Sequence, residues 1–181
     1  MSPGQDFPAR SQYISKSVLW FHMKQIIFIL LLLLPLTAHA FSGTVTKVSD
    51  GDTFTVATDH GAQRVRIFGI DAPEHGQAFG TAARQDLAAL ILDKTVEVVP
   101  PPRHTKFPRS YDRVVGLVTV GGTDVGWSMI SLGDAWAYDD FSPPPSYDDA
   151  MAQAISLHIG LWSDKEPLPP WDWRKARRRH H

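Results

Sequence analysis

The chain has 181 residues, of which 43% are hydrophobic and 20% are charged, a composition typical of one globular domain with extensions. It contains no cysteine, which excludes disulfide bonds, thiolate zinc sites and a thiol nucleophile. Its formal net charge of −1 lacks the basic excess of most nonspecific nucleic-acid binders, although it is compatible with a local basic groove.

The first 40 residues have the layout of a signal peptide. Lys24 precedes an apolar run at 26–36, and small residues occupy the Ala-x-Ala positions that end at Ala40. The run is shorter than the roughly 20 apolar residues that span a bilayer. We therefore predict a start at Met23, cleavage after Ala40 and an exported protein, periplasmic or secreted. An N-terminal anchor in the inner membrane is the alternative.

Basic residues are distributed unevenly over the rest of the chain. Residues 1–40 hold three of the 18 basic and one of the 19 acidic residues, so the remainder carries a net charge of −3. Five basic residues lie in the last eight positions. We predict a domain over 41–163, followed at 164–181 by a Pro/Trp-rich and then basic tail. The basic run from Arg174 to His181 is predicted to be a flexible end, and the alternative is a tether that binds polyanions through counterion release.

Short β-strands separated by turn signals are predicted after residue 40. Asp50-Gly51 and Asp59-His60-Gly61 are turn sequences, and apolar and polar residues alternate around them. The pattern predicts a three-stranded meander. Its strands are Phe41–Val48, Thr53–Val56 and Gln63–Ile70.

One helix and two further strands are predicted next. Apolar residues recur at helical spacing over Thr81–Leu92, which predicts a helix there. The triple proline at 100–102 ends a strand predicted at Thr95–Val99. Gly121-Gly122 ends a strand predicted at Val114–Val120.

Helices are predicted to follow the fifth strand. A short helix over Asp124–Leu132 ends at Gly133, and a short extended segment covers Ala135–Tyr138. A longer helix over Tyr147–Leu161 takes Ser146 as its N-cap. Five strands with a helix between the third and fourth match the OB-fold. The predicted fold class is therefore α+β, mainly β: a five-stranded OB-fold barrel with about three helices.

Three short segments carry residues suited to phosphate chemistry. Asp52, Asp71 and Glu74 offer carboxylates for a hard cation, and Arg66 and Arg113 offer guanidinium groups for a phosphate. During phosphodiester cleavage a nucleophile approaches an anion, and negative charge builds on the phosphoryl oxygens. A cation held by oxygen ligands and two arginines would offset that charge, so the set favours metal-assisted phosphodiester cleavage.

Each segment alone has a plainer interpretation. Asp50-Gly51-Asp52 is more often a hairpin turn, and Asp71 to Glu74 is equally compatible with a capped turn after a strand. Arg113 could pair with its neighbour Asp112 instead of a ligand. Arg64 shares a strand face with Arg66, so one of the two could be ordinary surface.

Further basic and aromatic residues also allow two interpretations. A loop with Arg103, His104, Lys106 and Arg109 is either a guide for a phosphate backbone or a solvated surface. The tryptophans near the C-terminus could stack on bases, but packing against the body is the favoured interpretation. They are Trp162, Trp171 and Trp173.

Five segments follow one another in a recognisable order over about residues 43–162. They are Asp50-Gly51-Asp52-Thr53, Arg66-x-x-Gly69-Ile70-Asp71-Ala72-Pro73-Glu74, Tyr111-Asp112-Arg113, Gly133-x-Ala135-Trp136-Ala137-Tyr138 and Gly160-Leu161-Trp162. This ordered set resembles the staphylococcal nuclease (thermonuclease) family, which are calcium-dependent nucleases with an OB-fold. One such motif would be weak, but the ordered set is specific.

The resemblance implies a metal site and a residue that acts on water. Asp52 and Asp71 would bind Ca²⁺ through their carboxylates, and the Ala72 carbonyl would be a backbone ligand. Glu74 would orient or deprotonate the attacking water. No other cofactor is implied.

The resemblance also implies substrate contacts. Arg66 and Arg113 would grip the phosphate, and Tyr111 and Tyr138 would line the nucleotide pocket.

Two positions depart from the family pattern. Asp112 stands where the family usually has glycine, and a carboxylate there could pair with Arg113 or repel substrate. Phe141 stands where a tyrosine is common, which would weaken a nucleotide contact.

Taken together, the resemblance implies an exported Ca²⁺-dependent endonuclease of the micrococcal type. It would hydrolyse DNA and RNA to products with a 3′-phosphate and a 5′-hydroxyl. We expect a monomer without a stable protein partner that meets the membrane only through its signal peptide. The alternative is a noncatalytic OB-fold module that binds nucleic acid or another anionic polymer.

Overall fold

The computed structural model describes residues 40–101, 112–138 and 143–179, all of them within one compact unit, Ala38–His181. The elements in chain order are β1 (Phe41–Val48), β2 (Thr53–Thr58), β3 (Gly61–Ile67), β4 (Ile70–Asp71), α1 (Gly80–Ile91), β5 (Thr95–Val99), β6 (Val114–Val120), β7 (Thr123–Asp124), α2 (Val125–Ser131), β8 (Trp136–Ala137), α3 (Pro145–Ser156), a 3₁₀ helix (Gly160–Ser163) and α4 (Pro170–Arg178).

Five strands close into a barrel. Their order is β3-β2-β1-β5-β6, with antiparallel neighbours throughout. The barrel closes where β6 pairs with β3 in parallel, with Val65 opposite Val114 and Ile67 opposite Gly116. The short strand β7 extends β6 as a hairpin, and β4 pairs separately with β8. This arrangement confirms the predicted fold class.

Alternating apolar residues fill the barrel. Val45, Phe54, Val56, Val65 and Ile67 are fully buried because successive side chains of a strand point to opposite faces. The buried face of α1 packs on the same core through Ala83, Leu87 and Ile91. The apolar interior thus fixes which strand residues face outward, where the charged side chains lie.

Several predicted bounds are confirmed and others are wrong. The strands at Thr95–Val99 and Val114–Val120 have the predicted limits. The third strand ends at Ile67 instead of Ile70, since Phe68 N–H donates to Gly116 O (2.8 Å) and the chain turns away into β4.

The long helix after the barrel differs from its prediction at both ends. It begins at Pro145 with Pro144 as its N-cap, so Ser146 is not the cap. Proline needs no hydrogen-bond partner for a backbone N–H in the first turn, which suits it to this position. The helix ends at Ser156 because His158 adopts a left-handed φ of 53° that reverses the chain. The prediction that it reaches Leu161 is wrong.

The prediction of a flexible basic tail is also wrong for the part of the tail that the structure describes. Pro170–Arg178 is an α-helix, so the described residues hold four α-helices instead of about three. Pro170 begins the helix, Asp172 lies in its first turn and basic residues lie in its last turn. These charges complement the helix dipole and favour helix formation.

No helix within the three described ranges is long and apolar enough to cross a membrane. The predicted signal peptide, apart from its last residue Ala40, lies outside those ranges.

Candidate active site

Asp52 is held at the turn between β1 and β2. Its N–H donates to Asp50 Oδ1 (3.1 Å), and its carbonyl accepts from Ile67 N–H (2.8 Å), which ties the turn to the end of β3. The side chain is buried, and its Oδ1 accepts a hydrogen bond from Thr53 Oγ1 (2.8 Å). The turn therefore fixes the direction of this carboxylate.

Asp71 reaches the same place from β4. It pairs with Trp136 of β8, and its side chain is fully buried. The next residue, Ala72, donates its N–H to Asp52 Oδ2 (3.2 Å). The short ribbon β4–β8 thus brings the second carboxylate to the rim of the barrel beside the first.

Arg66 joins the two carboxylates. Its Nη1 donates to Asp52 Oδ1 (3.0 Å) and its Nη2 donates to Asp71 Oδ1 (2.7 Å). Burial raises the pKa of Asp52, since removal from water outweighs the opposing effect of Arg66. The charges of Asp52 and Asp71 raise the pKa of Arg66 in spite of its own burial. Arg66 consequently stays a cation between the two aspartates.

Glu74 lies in the loop that follows β4 and is paired with a residue from the C-terminal helix. Arg174 Nη1 donates to Glu74 Oε1 (2.6 Å) and to Asp71 Oδ1 (3.1 Å), while its Nη2 donates to Asp71 Oδ2 (2.7 Å). Hydrogen bonding to Asp71, and then to Glu74, raises the pKa of Arg174 above its usual range. The Glu74 side chain keeps 35% of its surface exposed, so water can reach it.

Gln77 connects the Glu74 loop to the segment that leads into α4. Its Oε1 accepts from Glu74 N–H (3.0 Å), and its Nε2 donates to Leu168 O (2.6 Å). The side chain is 8% exposed. A buried amide that satisfies two backbone groups fixes the position of both segments.

Arg113 lies at the start of β6 on the outward face of the barrel. Val114 is opposite Val65 in the parallel ladder, so Arg113 falls opposite Arg64, on the face that also carries Arg66. Asp112 Oδ2 accepts from Arg64 Nη1 at 2.9 Å, whereas Asp112 Oδ1 lies 3.9 Å from Arg113 Nε. Of these two arginines, Arg64 is therefore the closer to Asp112.

Tyr138 lies beside the site at the end of β8. Its N–H donates to Gly69 O (2.9 Å), and its ring centre is 5.5 Å from that of Trp171. Trp171 also meets Trp136 edge-on at 6.2 Å, and Trp136 meets Trp162 at 5.3 Å. The favoured prediction that the C-terminal tryptophans pack against the body is thereby confirmed for Trp162 and Trp171.

The structure brings together five of the predicted site residues, namely Asp52, Arg66, Asp71, Ala72 and Glu74. It places Tyr138 beside them through its contacts with Gly69 and Trp171, and Arg113 directly before β6, the strand that pairs with the strand of Arg66. Tyr111, the loop around Arg103 and Phe141 lie outside the described residues. The role assigned to each residue stays a prediction.

Two residues of the site are absent from the sequence prediction: Arg174 and Gln77. The region of Arg174 did carry a helix signal, with Pro170 at the first position, an acidic residue in the first turn and basic residues in the last turn. The contacts themselves have no sequence signal, because they join residues about 100 positions apart.

The site offers oxygen ligands, the type that a hard divalent cation prefers. The carboxylates of Asp52 and Asp71 are buried and share Arg66, so both point at one small region. Among the described residues there is no group of three or more acidic, histidine or cysteine side chains in ligand geometry, so protein carbonyls and water would complete the shell. Ca²⁺ takes such mixed oxygen ligands, and the residues fit it.

Comparisons with a family model and with known proteins point to the same family. The family model described as "Staphylococcal nuclease homologue" matches residues 64–164. An Escherichia coli protein named "Uncharacterized endonuclease" is 36% identical over 142 residues, which cover 77% of this chain and 89% of that protein. A Shigella flexneri protein named "Micrococcal nuclease" is 37% identical over 147 residues, covering 75% and 82%.

A Haemophilus influenzae protein, also named "Uncharacterized endonuclease", is 36% identical over 132 residues, which cover 72% of this chain and 71% of that protein. These matches, the closed OB-type barrel and the grouping of acidic and basic side chains on its rim agree with one another. The chain belongs to the family of staphylococcal nuclease homologues.

Proposed function

We propose that the protein is an exported Ca²⁺-dependent nuclease that hydrolyses phosphodiester bonds of DNA and RNA to 3′-phosphate and 5′-hydroxyl products. The observation that supports this most is the joining of Asp52 and Asp71 by Arg66, with Glu74 next to them at the solvent boundary. The names of the relatives support a nuclease. The metal, the products and export are our own proposals.

The mechanism assigns a task to each side chain. Asp52, Asp71 and the Ala72 carbonyl would hold Ca²⁺, which when bound supplies positive charge beside the phosphoryl oxygens. Glu74 accepts a proton from, or orients, a water that attacks phosphorus in line. Arg66 donates to the phosphoryl oxygens through N–H groups left over from its two aspartate contacts, since a guanidinium has five such donors.

Arg113 completes the phosphate contacts from the opposite strand. It lies on the same outward face as Arg66 because β6 pairs in parallel with β3. Two arginines that approach a phosphate from neighbouring strands can stabilise the charge that develops on it in the transition state. Tyr138, and Tyr111 on the chain before Arg113, would contact the nucleotide.

The alternative is a noncatalytic OB-fold module that binds an anionic polymer. Such a module needs positive surface but has no need for a buried pair of aspartates. Burial raises the pKa of Asp52 and therefore costs free energy, which a purely binding surface would not require. The aspartate pair thus favours the nuclease.

The test is cleavage of single-stranded DNA and RNA by the purified protein with Ca²⁺ and with chelator. We expect Ca²⁺-dependent shortening, with new 5′ ends that polynucleotide kinase labels without prior phosphatase treatment. Glu74→Gln should lower kcat by roughly 10²–10⁴-fold because proton transfer from water is lost. The matched control Glu97→Gln changes an exposed residue of β5 in the same way and should leave kcat unchanged.

A folded wild-type protein that binds these polymers without shortening them would replace the nuclease with the binding module. Circular dichroism of each variant separates lost chemistry from lost folding. Turnover that persists in chelator would overturn the Ca²⁺ proposal alone.

A further inference from the structure

We propose that Arg177 and Arg178 of α4 form a phosphate-binding subsite that takes the backbone of a polynucleotide next to the bond being cleaved. The inference rests on the proposed function and extends it to the part of the substrate outside the reacting phosphate. Neither the family model, which ends at residue 164, nor the resemblance assigns any role to this helix.

The first support is the position of α4. Arg174 is bonded to Asp71 and Glu74, so the face of the helix that carries it touches the candidate active site. Residues three and four positions further along a helix lie on that same face, one turn away. Arg177 and Arg178 therefore continue the active-site face by about 4.5–6 Å along the helix axis.

The second support is an open cavity between the helix and the Glu74 loop. Its volume is about 450 Å³, enough for a nucleotide phosphate with part of its sugar. The residues that line it are Glu74, His75, Trp173, Arg174, Arg177 and Arg178. The residue proposed to act on water and the two arginines thus share one space.

The third support is charge. Within the described part of the chain, Arg177 and Arg178 form no ion pair, and both are exposed. Arg66 and Arg174 differ from them, because both are neutralised by the site's own carboxylates. Among the described residues that line the cavity, the unneutralised positive charge therefore belongs to Arg177 and Arg178, and it favours an anion.

The fourth support is that the helix is held in place. Trp171 packs on Trp136 and Tyr138, Pro170 is buried, and Gln77 fixes the carbonyl of Leu168. The two arginines are thus presented from an anchored element. This lowers the conformational entropy lost on binding.

A polynucleotide fits these features better than a single small anion. Its phosphates recur at regular intervals, so a strand whose reacting phosphate lies beside Glu74 presents the neighbouring phosphates to cations one helical turn away. Each phosphate contact releases counterions and makes binding depend on salt. The subsite should therefore act on affinity for longer strands.

The experiment measures binding of a labelled 12-nucleotide oligothymidylate and of a labelled thymidine dinucleotide by fluorescence anisotropy, in chelator, over a series of salt concentrations. The variant is Arg177→Gln/Arg178→Gln. The matched control is Lys175→Gln/Arg179→Gln, which removes the same charge from two exposed positions, one on another side of α4 and one at its C-cap. Circular dichroism and tryptophan fluorescence check that each variant is folded.

We expect the variant to lose at least about tenfold in affinity for the 12-nucleotide strand at low salt. Its log–log salt slope should fall by roughly 1.4, because each single-strand phosphate contact contributes about 0.7. The control should lose less than half as much, and the advantage of the 12-mer over the dinucleotide should shrink only in the variant. Arg177→Lys/Arg178→Lys should restore the slope, which shows that charge at these positions is responsible.

Equal losses in the variant and the control would overturn the subsite in favour of a general effect of net charge. The subsite would also be overturned if the variant bound both ligands like wild type. If wild type then cleaved in Ca²⁺, the proposed function would stand without the subsite. A wild-type protein that neither binds nor cleaves would remove the proposed function, and the subsite with it.

Discussion

Arg174 changes the electrostatics of the candidate site. Without it, Asp52 and Asp71 would share Arg66, and Glu74 would lose its ion pair with Arg174. With it, both oxygens of Asp71 and one of Glu74 accept N–H groups from a second guanidinium. A cation that binds Asp71 must therefore compete with Arg174 or lie close to its positive charge.

Arg174→Gln should accordingly raise the affinity of the site for divalent and lanthanide cations. The expected gain is several-fold, up to about tenfold, because the like charge is near but partly exposed and therefore screened by water. Calorimetry with Ca²⁺ and tryptophan-sensitised Tb³⁺ luminescence measure it without any need for turnover. The nearby helix residue Trp171 gives a suitable donor.

Lys175→Gln is the matched control, since it removes one positive charge from the neighbouring, exposed position. Its cation affinity should change by less than about twofold. A weaker affinity in Arg174→Gln would contradict the expectation and would mean that Arg174 arranges the carboxylates for the cation instead of opposing it.

At the residue scale, the sequence predicted the components of the site that lie in short motifs. Asp71 and Glu74 are three positions apart, and Asp52 and Arg66 meet because β2 and β3 form a tight hairpin. Arg174 was missed because it lies 103 positions from Asp71. A contact of that separation depends on how α4 packs, which no local pattern encodes.

At the scale of elements, the loop between β4 and α1 positions Glu74. Gln77 N–H donates to Glu74 O (3.0 Å), and Gly80 N–H donates to Gln77 O (3.1 Å). The backbone of Gly80 packs directly on that of Glu74, so a Cβ at Gly80 would collide with the Glu74 carbonyl oxygen. The start of α1 therefore determines where Glu74 lies.

Gly80→Ala should destabilise the protein by about 1–3 kcal/mol and should also lower turnover. Alanine favours a helix over glycine by about 1 kcal/mol, but here the collision is with backbone, which cannot rotate away. Urea unfolding measures the free energy of unfolding, and kcat on single-stranded DNA measures the effect of displacing Glu74 on turnover. Thr81→Ala, at the exposed next position, is the control; a Gly80→Ala protein that matched it in both measurements would contradict this account.

The elements show where local sequence reasoning succeeds. Strands β5 and β6 were predicted with their observed limits because alternation and the flanking Pro and Gly residues are local signals. The end of α3 was not predicted, because the left-handed turn at His158 that ends it leads into a close crossing of two chain segments. A Cβ at Gly160 would collide with Gly133 O, and Leu161 N–H donates to that same carbonyl (2.9 Å).

At the scale of the whole molecule, barrel closure assembles the site. The parallel pairing of β3 with β6 brings Arg66 and Arg113, 47 positions apart in the sequence, to one outward face. The sequence predicted five strands and the OB-fold, but alternation alone does not state which strands pair. The turn signals predicted the pairing of the first three strands, whereas closure of the barrel followed only from matching the whole layout to the OB-fold.

A further buried acidic residue lies outside the candidate site, between two helical regions. Asp134 follows α2, is 3% exposed, and lies beside Asp86 of α1. Burial, and then the neighbouring Asp86, raise the pKa of Asp134 to about 7 from 3.8. Because the folded protein holds this proton more tightly than the unfolded chain, stability should fall as pH rises from about 4 to about 7.

Asp134→Asn should remove that dependence. At about 1.36 kcal/mol for each pKa unit, wild type should lose roughly 2–3 kcal/mol from this group between pH 5 and pH 8, and the variant should not. The variant should therefore gain stability over wild type as pH rises, measured by urea unfolding at several pH values. Asp149→Asn, at an exposed position of α3, provides the same change of charge without burial and should leave the pH dependence as in wild type.

A constant difference in unfolding free energy between Asp134→Asn and wild type from pH 5 to pH 8 would contradict this account. It would show that Asp134 ionises as readily in the folded protein as in the unfolded chain. In Asp86→Asn the pH dependence of stability should lie between those of wild type and Asp134→Asn. This substitution removes the neighbouring charge but leaves Asp134 buried. Since burial is the larger of the two causes, most of the pH dependence should survive in that variant.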